Sequence, residues 1–231
     1  MTIPRHARSQ VRPYGAPVVA TLLLALLSGG FSSMALAAQP VPAELKLAIG
    51  AEPTEGFDPL LGWSHGSHLL LHSPLLKQIA GDSADLSWQD LLTQAVTPNK
   101  DGKGWLITLK PDLKFSNGAP LTAEDVAFTY NSAAEGGGKI DMGNFVKAEV
   151  VSPTEVAIVL SAPQSTFVNV LGSLGIVSKR DYDAKAYARE PVGAGPYRLV
   201  SFLPGQQLVV EANPYYAGGN NDFKRLVFVF I

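Results

Sequence analysis

Apolar and polar residues alternate at several points along the chain, and each alternating stretch predicts a β-strand. In ELKLAIG, the apolar residues Leu45, Leu47 and Ile49 are separated by polar or small residues. The segment GWLITLK predicts a further strand. VKAEVVS and TEVAIVLS, joined at Pro153, predict a β-hairpin. Toward the end of the chain, the pattern predicts a strand, a turn and a strand, followed by a last strand in RLVFVFI.

Helical signals are fewer, and the clearest lies in LTAEDVAFTYNSA. Thr122 can cap the first turn with Asp125 three residues later, and Glu124 and Asp125 place negative charge at the positive end of the helix dipole. The glycines of EGGGK are expected to end this helix. A short apolar helix is predicted over about residues 166–171, and DYDAKAYARE predicts another.

The first 37 residues predict a cleavable signal peptide. Three arginines and no acidic residue precede an apolar run that is too short to anchor the chain in a bilayer. Small residues follow, and Ala35 and Ala37 fit an A-x-A site, so cleavage is expected after Ala37. Gly29 and Gly30 interrupt the apolar run, which disfavours the alternative of a retained transmembrane helix.

Composition narrows the class of protein. Three of the 18 basic residues belong to the predicted signal peptide, so 15 remain against 20 acidic residues, a net charge of −5 that disfavours nucleic acid as a partner. The chain has no cysteine, which excludes disulfides, thiolate metal sites, a cysteine nucleophile and a lipid-modified cysteine anchor. We therefore expect a periplasmic protein that is not a lipoprotein.

The segment GWSHGSHLLLHSP, residues 62–74, carries three of the four histidines and matches the G-x-S-x-G pattern of a hydrolase nucleophile elbow. Ser64 nevertheless lacks the context of that motif. The preceding EGFDPLL contains Pro59 and does not predict a hydrophobic strand. No histidine follows His72, whereas the motif needs an acid and then a histidine downstream. We therefore expect no catalysis at Ser64, and no enzyme.

Metal binding is a stronger hypothesis for the same segment. His68 and His72 are four residues apart and would share a helix face, with His65 one turn earlier, and imidazole is a common ligand of nickel, copper and zinc. Pro74 disrupts such a helix near its end, so the direction of His72 is left open. The alternatives are contact with a solute without metal, and no direct role.

Exposed aromatic side chains beside a loop supply apolar area in a solute cleft, so Trp63 is also a candidate, with core packing as its alternative. The candidate ligand-binding residues are Trp63, Ser64, His65, His68 and His72. The candidate metal ligands are His68 and His72.

Several segments together resemble the extracellular solute-binding proteins of family 5, which serve peptide and nickel ABC importers. KLAIGAEPTEGFDP resembles the opening strand and acidic Asp-Pro loop of that family. KGWLITLKPDLKFSNGAPLTAEDVAFTYNSA resembles its aromatic strand, its K-F-x-x-G-x-P turn and its A-E-D-V helix. PVGAGPYRLVSF and EANPYYAGG resemble its G-x-G-P-Y and N-P-x-Y-x-G-G segments. The four segments occur in the family's order.

The resemblance implies an α/β protein of the periplasmic binding protein-like two-lobed fold, type II and cluster C-like. Residues 38–231 would form the first lobe, with an inserted subdomain at about residues 74–163. Because family members are considerably longer, the second lobe is expected to be absent, as in a truncated chain.

The implied function is the periplasmic binding of oligopeptides, dipeptides or a nickel or other metal chelate for a cognate inner-membrane ABC permease. The resemblance implies no cofactor, although nickel or another transition metal could be the cargo. The resemblance implies that the nickel-binding branch uses an arginine near the segment GSLGIVSK to hold the carboxylate of the chelator, and this segment itself contains none. Two alternatives remain: a metal-scavenging protein that uses His65, His68 and His72, or a non-functional truncated remnant.

Overall fold

The computed structural model describes residues 43–61, 68–80, 86–136 and 140–231. The predicted signal peptide and its cleavage site lie outside these residues. No helix in the described part of the chain is long and apolar enough to cross a membrane.

Ten strands and three short or medium helices make up the described fold. In chain order they are β1 (Glu44–Ile49), α1 (His68–Leu71), β2 (Leu76–Ala80), β3 (Leu86–Asp90), β4 (Thr93–Pro98), β5 (Gly104–Leu109), α2 (Ala123–Glu135), β6 (Phe145–Ser152), β7 (Glu155–Leu160), α3 (Val168–Leu171), β8 (Tyr197–Leu203), β9 (Gln207–Ala212) and β10 (Arg225–Phe230). Short 3-10 turns cover Pro59–Leu61 and Ser165–Phe167.

The first and last strands of the described chain belong to one sheet, which we call the β1 sheet. Its order is β1-β10-β9-β8, so β10 is an inner strand and β1 and β8 form the edges. β10 runs parallel to β1, with Glu44 opposite Arg225, and antiparallel to β9. The predicted strands in ELKLAIG, RLVFVFI and the segment between residues 191 and 219 are confirmed.

A second four-stranded sheet, the β5 sheet, has the order β4-β5-β7-β6 and is antiparallel throughout. The predicted hairpin around Pro153 is its β6–β7 pair. All its strands lie within residues 93–160. A separate two-stranded ribbon pairs β2 with β3. The sequence analysis did not identify β2, β3 or β4.

Helix α2 packs against the β5 sheet, and its start agrees with the prediction. The Asp125 carboxylate accepts hydrogen bonds from the backbone N–H of Thr122 at 2.9 Å and from its hydroxyl at 3.1 Å. These bonds satisfy donors at the N-terminus that the helix itself cannot pair. The helix ends at Glu135 with Gly136 as its C-cap, as the glycine run predicted.

The helix predicted in DYDAKAYARE is wrong. Residues 181–190 form successive turns, in which the N–H of Tyr187 donates to the carbonyl of Asp183 and the N–H of Arg189 to that of Ala186. Pro191 follows at once and disfavours helical backbone at Glu190. Tyr182 and Tyr187 pack inside the protein against residues that are distant in sequence. Local helix propensity does not take such contacts into account.

Two apolar clusters occupy the interior of the described fold. The larger one lies between the β5 sheet and α2 and also takes in side chains from outside the predicted insert, among them Leu60, Leu171, Ile176 and Tyr187. The smaller one lies on the β1 sheet and consists of the buried side chains Phe57, Leu71, Tyr197, Leu208, Val210 and Leu226. The insert boundaries at about 74 and 163 stay a prediction.

Candidate functional site

The structure places the predicted site residues at the start of α1 and just beyond it. Trp63, Ser64 and His65 lie outside the described residues. His68 begins α1, and its side chain lies outside the described part of the structure. His72 follows α1, which ends at Leu71, so the helix face predicted to carry both His68 and His72 does not extend to His72. Pro74, two residues later, accounts for the early end of the helix.

His72 is fully buried, with an exposed fraction of 0%. Its Nε2 lies 3.0 Å from the hydroxyl oxygen of Tyr187, and the two rings are tilted at a centroid distance of 5.7 Å. The Tyr187 hydroxyl in turn donates to the backbone carbonyl of Val192 at 2.7 Å. The His72 ring, whose direction the sequence left open, is therefore hydrogen-bonded inside the protein.

A second buried polar group lies in the Asp-Pro loop. Asp58 is 4% exposed, and its carboxylate accepts hydrogen bonds from the N–H of Leu60 at 2.8 Å and from the hydroxyl of Tyr182 at 2.9 Å. The rings of Tyr182 and Tyr187 are in contact, with their centroids 4.9 Å apart. Asp58 and His72 are thus linked through one pair of tyrosines.

Both tyrosine hydroxyls are held in the protonated form. Burial, followed by the hydrogen bond and the charge of Asp58, raises the pKa of Tyr182. Burial, followed by the charge of Asp58, raises the pKa of Tyr187 well above its ordinary value. Each hydroxyl therefore keeps one hydrogen to donate at neutral pH.

The glycines of the G-x-G-P-Y segment let the chain approach the end of α1 closely. A Cβ on Gly193 would lie 1.9 Å from the carbonyl oxygen of Leu71, and a Cβ on Gly195 would lie 2.4 Å from the carbonyl carbon of Leu71. The N–H of Gly195 donates to the oxygen of Leu71 at 2.9 Å, and the Ser73 hydroxyl donates to the carbonyl of Ala194 at 2.8 Å. Glycine is required here because backbone meets backbone.

The A-E-D-V segment has a similar supporting role. The Asp125 carboxylate accepts the N–H of Lys179 at 2.9 Å, and the Thr129 hydroxyl accepts the N–H of Val177 at 3.1 Å. Both bonds tie α2 to residues 177–179, which continue into the turns that carry Tyr182 and Tyr187. Of the four segments that carry the family resemblance, G-x-G-P-Y thus holds the end of α1 and A-E-D-V holds residues 177–179.

In chemical terms, the described residues around Asp58 and His72 form a network of hydrogen bonds and ring contacts. They contain no group of three or more histidine, aspartate or glutamate side chains that could hold a metal ion. An open groove of about 520 Å³ lies elsewhere, between α2 and β6, where Glu124, Phe128 and Val150 are among its lining residues. His72, the predicted site residue whose side chain the structure describes, does not line that groove.

Sequence reasoning missed the part played by Tyr182 and Tyr187. The available signal was the presence of two aromatic residues in the otherwise polar segment DYDAKAYARE, which a surface helix does not need. Asp58 belonged to the Asp-Pro loop noted in the sequence, but its burial could not be inferred from that loop.

Comparison with known proteins identifies the class to which this fold belongs. Residues 87–231 match the family model described as bacterial extracellular solute-binding proteins, family 5 middle. The probable D,D-dipeptide-binding periplasmic protein of Escherichia coli is 26% identical over 225 residues, which are 89% of this chain and 42% of that protein. The nickel-binding periplasmic protein of E. coli is 27% identical over 69% of this chain and 32% of its own length.

Solved structures show the same fold. The chain superimposes with a TM-score of 0.73 and 22% identity on NikZ from Campylobacter jejuni in complex with Ni(L-His), over 82% of this chain and 39% of that one. For the oligopeptide-binding protein AppA from Bacillus subtilis, in complex with a nonapeptide, the TM-score is 0.69 at 24% identity, over 84% and 41% of the two chains.

The chain thus matches between 32% and 42% of the length of these proteins. Its sheets and helices form the corresponding part of the type II periplasmic binding protein fold. Its relatives are substrate-binding transport proteins rather than enzymes. The chain belongs to the bacterial extracellular solute-binding proteins of family 5.

Proposed function

We propose that this chain acts as, or within, the solute-binding component of an ABC importer for oligopeptides, dipeptides or a metal chelate such as a nickel complex. The family match over residues 87–231 is the observation that carries this proposal. Relatives with the same fold hold a peptide in one case and Ni(L-His) in another, so both solute classes are compatible with this architecture.

The proposed location is the periplasm, and the proposed partner is a cognate inner-membrane permease. Two E. coli relatives are periplasmic proteins, which supports the location. The basic start, apolar run and Ala35–Ala37 site at the beginning of the chain agree with export and cleavage after Ala37.

Binding would follow the clamp mechanism, in which two lobes close over the solute and the closed form is recognised by the permease. Backbone groups at strand ends would pair with the main chain of a peptide and give affinity with little side-chain selectivity. The residues of one lobe cannot bury a solute alone. We therefore expect the polypeptide of residues 38–231, taken by itself, to bind weakly, and a micromolar dissociation constant in calorimetry would refute this expectation.

Of the site residues predicted from the sequence, His72 is fully buried and hydrogen-bonded to Tyr187. The proposed contact residues are the other four, Trp63, Ser64, His65 and His68. Support comes from their position after a strand and its loop, where binding residues concentrate in many proteins. Trp63→Ala is expected to lower solute affinity, whereas Trp88→Ala, a change of the same size on β3, provides a matched aromatic control.

Uptake in the organism that encodes the chain tests the transport function. Deletion of the coding sequence is expected to lower the uptake of radiolabelled trialanine or of ⁶³Ni²⁺ supplied with L-histidine, and the intact gene should restore it. Unchanged uptake of both probes would contradict the proposal for these two solute classes.

Metal capture through His68 and His72 is a second candidate, favoured by the nickel-binding relative. It predicts that His68→Ala and His72→Ala each abolish nickel binding while the fold stays intact. Circular dichroism has to accompany the second variant, because His72 is fully buried. Nickel binding that survives His68→Ala would refute this candidate.

A further inference from the structure

The hydrogens around Tyr187 determine which nitrogen of His72 carries its proton. A tyrosine hydroxyl has one hydrogen, and the carbonyl of Val192, 2.7 Å away, can only accept. The hydroxyl hydrogen of Tyr187 is therefore donated to the carbonyl oxygen of Val192. Its oxygen must then accept the bond to His72, 3.0 Å away, so His72 is protonated at Nε2.

The surroundings of the ring leave it little freedom to turn. A Cβ on Gly175 would lie 2.5 Å from the Cβ of His72, and one on Gly193 would lie 2.8 Å from its Cδ2. The ring thus passes between two glycine backbones. A different orientation would lose the bond to Tyr187 and would press the ring against backbone atoms.

The segment that contacts His72 also contacts the Asp-Pro loop, which precedes the predicted site in the chain. Tyr182 donates to Asp58, and the N–H of Phe57 donates to the carbonyl of Ala188 at 2.8 Å. On the His72 side, the N–H of Ile176 donates to the carbonyl of Ser73 at 3.0 Å. Residues 174–195 therefore fix the chain both at Asp58 and at His72.

We propose that Tyr187 is a positioning residue that holds His72 with a proton on Nε2, and that His72 anchors the chain beyond α1 instead of ligating a metal cargo. Zinc or nickel could bind Nε2 only by displacing the proton that His72 donates to Tyr187, and a metal at either ring nitrogen would require the fully buried ring to become exposed. The inference rests on the proposed function in one respect, since it assigns a role within the predicted solute site. It replaces the hypothesis that His72 is a metal ligand. The hypothesis that His68 is a metal ligand is unaffected.

The experiment uses the exported chain without added solute, so that its result does not depend on whether transport is the function. Long-range ¹H–¹⁵N correlation spectra of the imidazoles report the tautomer of His72 directly. Hydrogen exchange at the amide of Gly195, which is bonded to Leu71, and at that of Ile176, which is bonded to Ser73, reports how firmly the chain is anchored.

Two pairs of variants separate positioning from general packing. Tyr187→Phe removes only the hydroxyl, and Tyr215→Phe is its control because Tyr215 is 43% exposed. The amide nitrogen of glutamine reaches the place of Nε2, whereas that of asparagine reaches the place of Nδ1. His72→Gln should therefore preserve the anchor, and His72→Asn should not.

We expect wild-type His72 to be protonated at Nε2 and its ring signals to stay in place when ZnCl₂ is added. Tyr187→Phe and His72→Asn should accelerate exchange at Gly195 and Ile176 about tenfold or more, while Tyr215→Phe and His72→Gln leave it near wild type. Protonation at Nδ1 alone, a zinc-induced shift of the His72 ring, or unchanged exchange in Tyr187→Phe would overturn the proposal. Failure of peptide or nickel uptake with these results intact would instead refute the proposed function alone.

Discussion

The β5 sheet and the β1 sheet have the same number of strands but are assembled in different ways. The strands of the β5 sheet come from one continuous stretch, residues 93–160, and α2 covers them. The β1 sheet pairs Glu44 with Arg225 and so needs both ends of the described chain. Local pairing loses little loop-closure entropy, whereas pairing of distant segments loses more. We therefore expect the β5 sheet to form first and to open last.

The apolar core of the β5 sheet is also larger than that of the β1 sheet. The cluster under α2 contains many fully buried side chains, including Ile107, Val126, Val156 and Ile158. Among the described residues, the cluster on the β1 sheet is smaller and contains six buried side chains. Since stability grows with the apolar area removed from water, the β1 sheet is the weaker of the two regions.

A pair of core truncations should give the largest effects and compares the sheets directly. Ile158→Ala is expected to lower the free energy of unfolding by about 4 kcal/mol, and Leu208→Ala by about 3 kcal/mol, because Ile158 lies in the larger core. Urea titration measures both. Hydrogen exchange should accelerate throughout the protein in the first variant and chiefly in β1, β8, β9 and β10 in the second. A larger loss from Leu208→Ala would reverse the comparison.

Gly195→Ala tests the contact between the end of α1 and the segment that leads into β8. The added Cβ would lie 2.4 Å from Leu71 and 2.6 Å from His72, in both cases against backbone atoms, so the chain must shift. We expect a loss of about 2–3 kcal/mol in the free energy of unfolding. Gly50→Ala is the control, since its Cβ would meet no atom within 4 Å. Equal stability of the two variants would contradict the close approach described here.

Asp125→Asn tests how the capping carboxylate stabilises the α2 region. Its oxygens accept from Thr122 and from Lys179, so the neutral amide should lower the free energy of unfolding by about 1–2 kcal/mol. Glu124→Gln is the control, because the Glu124 side chain is 65% exposed and its ion pair with Lys179 contributes little. Thermal unfolding of both variants checks the difference. A larger loss in Glu124→Gln would contradict it.

Tyr130→Phe should behave unlike the other core changes. Within the described residues the Tyr130 hydroxyl is buried without a hydrogen-bond partner, and burial raises the pKa of this group. Removal of the hydroxyl is expected to leave stability unchanged or to raise it by up to about 1 kcal/mol. Tyr197→Phe, which loses a bond to the carbonyl of Phe223, should be destabilising instead. Marked destabilisation by Tyr130→Phe would contradict this prediction, because it would mean that the hydroxyl has a hydrogen-bond partner.

The smallest expected effect concerns pH. Partial burial raises the pKa of Asp181, but hydrogen bonds from Ser178, Arg180 and Asn117 outweigh it and lower the pKa below the ordinary value of 3.8. A lowered pKa stabilises the fold above pH 3.8, and that stability is lost as the pH falls through the lower folded value. In Asp181→Asn, the free energy of unfolding should therefore fall slightly less steeply than in the wild type as the pH is lowered. A steeper fall would contradict the lowered pKa of Asp181.

Local sequence patterns predicted the parts of the fold that local interactions decide. The capping residues Thr122 and Asp125, the hairpin at Pro153 and the alternation in β1 and β10 each carry their own signal within a few residues. The pairing of β1 with β10 and the turns of residues 181–190 depend on contacts between distant segments. No window of sequence contains those contacts.

The candidate site was predictable only in outline. The histidine-rich segment and the glycines of G-x-G-P-Y were recognisable, but the reason for the glycines is the close approach of Leu71. His72 looks like a surface ligand in the sequence, because its burial depends on Tyr187, which lies 115 residues away. Trp63, Ser64 and His65 stay predictions.

Native mass spectrometry of the protein purified from its own periplasm tests the central claim, solute binding for import, most directly. The account predicts a non-covalently bound peptide or metal-chelate mass that is released on denaturation and that identifies the cargo. A protein that contains both lobes, carries no bound mass and acquires none when trialanine or Ni²⁺ with L-histidine is added in excess would contradict it.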